Sequence, residues 1–112
     1  MLPKKFRLPA KDFRYVYSNS RKFRGKYGML LCVRNDVSSP LFGFVVSKKI
    51  GNSVKRHRVV RMLRAISMEA VKEFNLNSLG YSFEYVSFVF PDDFSSLREE
   101  FFRQVNECIS KS

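Results

Sequence analysis

The chain predicts an α+β domain, a sandwich of helices over one small sheet, and three observations predict it. Apolar residues recur at helical spacing in three segments. Runs rich in Val, Leu and aromatics, suited to strands, recur in three others. The two kinds interleave as α-β-β-α-β-α, which places helices against a sheet. With 112 residues, the sequence suits a single domain, residues 1–112, with one modest core. Hydrophobic residues make up 45% of it, which excludes a basic disordered tail. No repeat, low-complexity stretch or inter-domain linker interrupts it.

The elements follow in order. Pro9-Ala10-Lys11-Asp12 opens a helix whose short apolar stripe is Phe13, Val16 and Tyr17, and Ser18-Asn19-Ser20 ends it. Arg21–Lys26 reads as a basic loop. Tyr27–Arg34 is the first strand, Asn35–Pro40 a polar turn, and Leu41–Ser47 the second strand and hairpin partner of the first. Lys48-Lys49-Ile50-Gly51 turns the chain, and Asn52 or Ser53 caps a long helix reaching Phe74 or Asn75. Tyr81–Phe90 is the third strand, stopped by Pro91. Ser96 and Glu99 have capping-box spacing, and Leu97, Phe101, Val105, Cys108 and Ile109 carry the last helix.

Charge is the strongest functional signal. The formal net charge is +11, which points to an acidic partner, nucleic acid or an anionic surface. From Lys48 to Arg64 the chain carries Lys48, Lys49, Lys55, Arg56, Arg58, Arg61 and Arg64 and no acid. Turned at about 100° per residue, the long helix gathers Val59, Leu63, Ile66, Ala70 and Phe74 on one face. His57, Arg58, Arg61 and Arg64 fall opposite, while Lys55 and Arg56 sit in the first turn beside the apolar face. Solvated helix faces normally interleave acids with bases, and this one has none before Glu69. A polyanion that neutralises the face is the natural partner.

Other chemistry is sparse. Cys32 and Cys108, far apart in apolar surroundings, read as small core hydrophobes; their spacing leaves a disulfide open but nothing calls for one, and no metal-ligand spacing surrounds them or His57. Asp92-Asp93 suits a helix N-terminus better than a metal pair. The absence of any apolar run near the ~20 residues that span a bilayer, and of an apolar block after the basic N-terminus, predicts a soluble cytoplasmic protein.

At Phe42–Arg64, FGFVVSKKIGNSVKRHRVVRMLR, the chain resembles the bacterial ribonuclease P protein family. There a strand ending in Ser-Lys-Lys and Gly-Asn leads into an Arg-Asn-Arg helix. Val46–Val54 matches closely, Arg56 and Arg58 match the two arginines, and Arg61 and Arg64 match later basic positions. Arg7-Leu8, Asp12-Phe13 and Val16-Tyr17 also fit. Four positions depart from the pattern: His57 replaces the asparagine, Val60 a usual lysine, Val89-Phe90-Pro91 lacks an expected base, and Leu31 replaces an aromatic.

The resemblance implies a left-handed βαβ crossover of the ribosomal protein S5 domain 2-like kind, against the right-handed rule. It implies a non-catalytic protein subunit of an endoribonuclease in which a catalytic RNA removes the 5′ leader of precursor tRNA. Mg²⁺ is then expected in the RNA active site, with no cofactor held tightly by the protein. Lys48, Lys49, Asn52, Lys55, Arg56, His57, Arg58, Arg61 and Arg64 would bind the catalytic RNA. Phe13 and Tyr17 on the first helix, facing Met29, Leu31 and Val33 on a strand, would form the cleft for the single-stranded leader. No small-molecule substrate or membrane enters this reading. The alternative is a small ribosomal or other structured-RNA-binding protein without a role in cleavage. A DNA regulator would need helix-turn-helix spacing that is absent, and a membrane-surface protein an exposed apolar helix face.

Overall fold

The computed structural model describes residues 2–37 and 39–111; Ser38 of the predicted turn, and the two terminal residues, lie outside it. Three helices, α1 (Phe13–Asn19), α2 (Ser53–Glu73) and α3 (Phe94–Ser110), pack on four strands, β1 (Arg21–Arg24), β2 (Gly28–Arg34), β3 (Leu41–Val46) and β4 (Tyr81–Ser87). The sheet order is β1-β2-β4-β3. β2 pairs antiparallel with both β1 and β4, and β3 pairs parallel with β4 through the α2 crossover.

This order corrects two expectations. β2 and β3 are not a hairpin, because β4 inserts between them. The basic stretch after α1 is a strand rather than a loop: Arg21–Arg24 pairs with Met29–Cys32 and alternates Phe23 inward with Lys22 and Arg24 on the other face. Exposed charge hides an edge strand from composition, since such strands are guarded by Lys and Arg.

The sheet divides the interior in two. Phe42, Phe83, Tyr85, Leu30 and Cys32 meet α2 and α3 in the main core, with Val59, Leu63, Ile66 and Ala70 of α2 among its fully buried residues. Phe42 and Phe83 stack at 5.1 Å between ring centroids. On the opposite face Leu8, Val16, Leu31 and Leu41 form a smaller core, with Phe13, Met29, Val33 and Val86 packed around it. Each fully buried apolar side chain is worth about 1.5–3 kcal/mol, against roughly 0.2–0.5 kcal/mol for each like-charge pair on the other side of α2. Burial wins, so α2 folds despite its charge.

Caps and turns fix the ends. Asn52, rather than Ser53, caps α2, its Oδ1 accepting from the Lys55 N–H at 3.0 Å. Asn75 takes a left-handed conformation (φ 53°) just past the helix end at Phe74. β4 ends at Ser87, three residues before the predicted Phe90. Asp93 caps α3 by accepting from the Ser96 N–H at 2.7 Å, so the Ser96–Glu99 box is not used. Asp92 instead accepts from the Tyr27 hydroxyl at 2.9 Å and pairs with Lys26 at 3.3 Å.

The buried carboxylate of Glu100 accepts the backbone N–H groups of Lys26 (2.6 Å) and Tyr27 (2.9 Å), pinning the β1–β2 turn to α3. Gln104 adds bonds to the carbonyls of Phe23 and Gly28. Cys32 and Cys108 are also not separate hydrophobes: β2 and the last turns of α3 bring their Cα atoms to 6.5 Å, and a disulfide joins them. Spacing could not show this, because 76 residues separate the two and only the packing of α3 on β2 apposes them.

Candidate nucleic-acid interface

The strand–turn–helix run is tied by side-chain-to-backbone hydrogen bonds where it is most charged. After β3, Ser47 Oγ accepts from the Lys49 N–H at 3.1 Å and Ile50 plugs into the core, leaving Lys48 and Lys49 exposed. Gly51 has φ 137°, a conformation that side chains resist, so glycine sits at the step into α2. Arg56 is half-buried and donates from Nε to the Gly51 carbonyl at 3.2 Å, which tethers the helix start to the turn. Arg56 is thus partly structural, whereas Lys55, His57, Arg58 and Arg61 are exposed and Arg64 half-buried.

His57, Arg58 and Arg61 line a shallow groove of about 420 Å³ with Ser53 and Val54. His57, Arg61 and Arg64 line a second of about 440 Å³. Among the described residues, the ion pairs use Lys26, Arg98, Arg103 and Lys111; Lys48, Lys49, Arg58, Arg61 and Arg64 have no carboxylate partner. Glu69, the first acid on α2, is engaged by Arg98 of α3 at 2.7 Å. The face is an array of unneutralised donors, and arginine can meet a phosphate with two parallel bonds. Asn52 spends its side-chain oxygen on the cap, which holds the Lys55 backbone N–H.

A second surface lies on the α1 side of the sheet. Register places three rows across the strands: Val33–Ser82–Leu41, then Lys22–Leu31–Glu84–Gly43, then Arg24–Met29–Val86–Val45. The short helix α1 lies over the middle row and borders the first. Phe13 presses its ring where a side chain at Gly43 would stand, and Val16 is buried beside it. The third row is open, with Val45 40% exposed and Met29 and Val86 half-buried. Tyr17, 55% exposed, stands beside Lys22 of the middle row. The Lys22 ammonium stands 5.3 Å from the Tyr17 ring and donates to the Tyr17 carbonyl at 3.0 Å. Arg24 lies 5.0 Å over the Phe88 ring.

Of the predicted cleft residues, Tyr17 is exposed, Phe13, Met29 and Val33 are half-buried, and Leu31 is wholly buried beneath α1 and unavailable to a ligand. Its row is the one α1 covers. Lys22, Arg24, Val45 and Val86 join this surface and were not legible from the sequence; strand parity was the only signal, and it needs the register. Glu84 sits in the covered row, 3% exposed, with Oε1 unpartnered. Burial pushes its carboxyl above the usual carboxylate value, and Lys22 partly offsets that.

Sheet, crossover and unpaired cations define a small basic α+β protein whose long helix presents an unneutralised cationic face. Over residues 2–109 the sequence matches the family described as Ribonuclease P, and the chain belongs to that family. The ribonuclease P protein component of Lachnoclostridium phytofermentans is 42% identical over 55 residues, 49% of this chain and 47% of that protein. That of Syntrophomonas wolfei is 37% identical over 70 residues, 62% of this chain and 59% of that protein. The matched stretches thus span about half the length of these relatives. The ribonuclease P protein of Thermotoga maritima superposes with a TM-score of 0.69 at 19% identity, covering 87% of this chain and 92% of that one. The Staphylococcus aureus protein gives 0.69 at 19% identity, covering 96% and 92%. At that identity the likeness concerns the fold.

Proposed function

We propose that this chain is the RNA-binding protein subunit of ribonuclease P and assists a catalytic RNA in removing the 5′ leader from precursor tRNA. The observation that carries the reading is the unneutralised row of Lys48, Lys49, Arg58, Arg61 and Arg64 on a fixed turn and helix, in a chain of this family. That face clamps the catalytic RNA through phosphate contacts. The open row of Met29, Val86 and Val45, together with Tyr17, Lys22 and Arg24, holds the unpaired leader. Stacking there needs no particular sequence, since every base has a face. Cleavage itself belongs to the RNA, with Mg²⁺ held by its phosphates, and the site of action is the cytoplasm.

Incubating the protein with precursor tRNA and Mg²⁺, with and without catalytic RNA, tests the division of labour. Specific 5′ processing is expected only with the RNA; processing by nuclease-free protein alone would sink the reading. Tyr17→Ala tests the leader surface. It should weaken holoenzyme binding to precursor tRNA by roughly 1–3 kcal/mol and leave mature tRNA binding unchanged. An equal loss for both would remove the leader from this surface.

A further inference from the structure

The flank of α1 opposite Tyr17 carries a different surface. Tyr15 and Tyr17 straddle the buried Val16, so their side chains leave the helix on opposite sides. Tyr15 is 58% exposed and stands between two adjoining grooves, lining both together with Val33 and Arg34. The larger, about 430 Å³, is bounded by Tyr15, Arg21, Arg34, Val33 and Tyr81. The smaller, about 250 Å³, continues from Tyr15 past Asp12, Asp36 and Ser82. Both lie at the Arg34 end of β2, where the chain meets Tyr81 of β4. The open Met29 row lies at the other end of the strand, with α1 covering Leu31 between them.

The chemistry is graded along this surface. Arg21, which also donates to the Lys111 carbonyl, stands at one end, and Arg34, which lines both grooves, lies 5.1 Å over the Tyr81 ring and so is held by the wall rather than free in solvent. An exposed phenol ring stands in the middle. Two carboxylates stand at the other end. A mononucleotide unit has the complementary order of phosphate, base face and base edge. We propose that the Tyr15 grooves bind one unpaired nucleotide, its phosphate on Arg21 and Arg34, its base on Tyr15, and its exocyclic amino group donating to Asp12 or Asp36. This rests on the RNA-binding reading above and adds a second single-strand subsite on the far side of α1.

The carboxylates make the subsite selective. They accept hydrogen bonds and, when ionised, donate none. Cytosine presents an amino donor where uracil presents a carbonyl oxygen. The two rings are equal in size, so the pair isolates the edge contact from stacking.

Labelled hexacytidylate and hexauridylate, titrated by fluorescence anisotropy against the full chain, test the subsite. Wild type is expected to prefer hexacytidylate. Tyr15→Leu should weaken hexacytidylate binding several-fold. Arg34→Gln should also flatten the log–log salt slope by about 0.7, the value for one phosphate contact on a single strand. Asp36→Asn together with Asp12→Asn should abolish the preference for cytosine. Circular dichroism checks the fold, which these exposed and half-buried positions should leave intact. The loss from Tyr15→Leu should persist in a Tyr17→Ala background, since the two flanks are separate.

If wild type binds and Tyr15→Leu and Arg34→Gln bind equally well, the subsite is overturned while the RNA-binding reading stands; if wild type binds neither oligonucleotide, both fail. A Tyr15→Leu effect that vanishes in the Tyr17→Ala background also overturns it, because one cleft then explains both. Repeating Tyr15→Leu on assembly with catalytic RNA, and on precursor binding by the assembled particle, identifies which strand supplies the nucleotide. No loss in either overturns the site's use in the particle.

Discussion

Arg58 and Arg61 are exposed on α2, lack acidic partners, and stand among cations three residues away. Each therefore costs the free protein a little through repulsion by its like-charged neighbours. Replacing either by Ala should leave stability unchanged or raise it by about 0.2–0.5 kcal/mol, while weakening binding to catalytic RNA and flattening the log–log salt slope by about one unit. Urea denaturation beside a salt titration of binding checks both halves; a variant that unfolds would show that the face is packed rather than solvent-exposed.

Glu84 makes the converse case. Its carboxyl titrates above the ordinary value because burial penalises the charged form. The folded state thus holds the proton more tightly than the unfolded chain. The penalty is absent below the unfolded pKa and is fully present once pH has risen past the folded one. Glu84→Gln should accordingly be more stable than wild type at about pH 7, with the advantage shrinking towards about pH 4. Equal denaturation midpoints at both would show that the carboxylate is adequately solvated.

At the scale of elements, the turn and first turn of α2 act as one unit. Ser47 holds the Lys49 amide, Asn52 holds the Lys55 amide, and Arg56 holds the Gly51 carbonyl. Lys48, Lys49 and Lys55 are thereby carried on ordered backbone. Removing the cap with Asn52→Ala should cost about 1 kcal/mol of stability. It should also weaken RNA binding at saturating folded protein, because the cations lose their fixed spacing. A thermal melt and a binding isotherm on the same sample separate the two effects, and unchanged affinity would make Asn52 purely structural. The helix α1 plays a comparable part on the other face. Lacking a side chain, Gly43 lets Phe13 settle on the sheet, and this contact decides that the row beneath α1 is closed and the Met29 row open.

For the whole molecule, the disulfide closes a long loop between β2 and the end of α3. Cross-links of this kind typically contribute about 2–4 kcal/mol by restricting the unfolded chain. Adding dithiothreitol should lower the urea midpoint of the oxidised protein accordingly, and an unchanged midpoint would show that packing alone holds the two elements. In a reducing compartment the same sulfurs pack as buried thiols. The +11 charge sets a global expectation too: affinity for any RNA must fall steeply with salt.

Local signals in the chain determined its class, three helices and three of the four strands among the described residues, and the cationic strand–turn–helix run. Each of these rests on periodicity or charge within a window of some twenty residues, and the face of α2 follows from its turn angle alone. Family membership was legible for the same reason, since its motif is contiguous. Tertiary structure decided what depends on residues distant in sequence. It placed β4 between β2 and β3, recruited Arg21–Arg24 as an edge strand, joined Cys32 to Cys108 and buried Leu31 under α1. The second surface could not be read in advance, because its rows cross strands whose register is fixed by pairing. A strand's own alternation shows which residues share a face, not which neighbours lie beside them or whether a helix covers them.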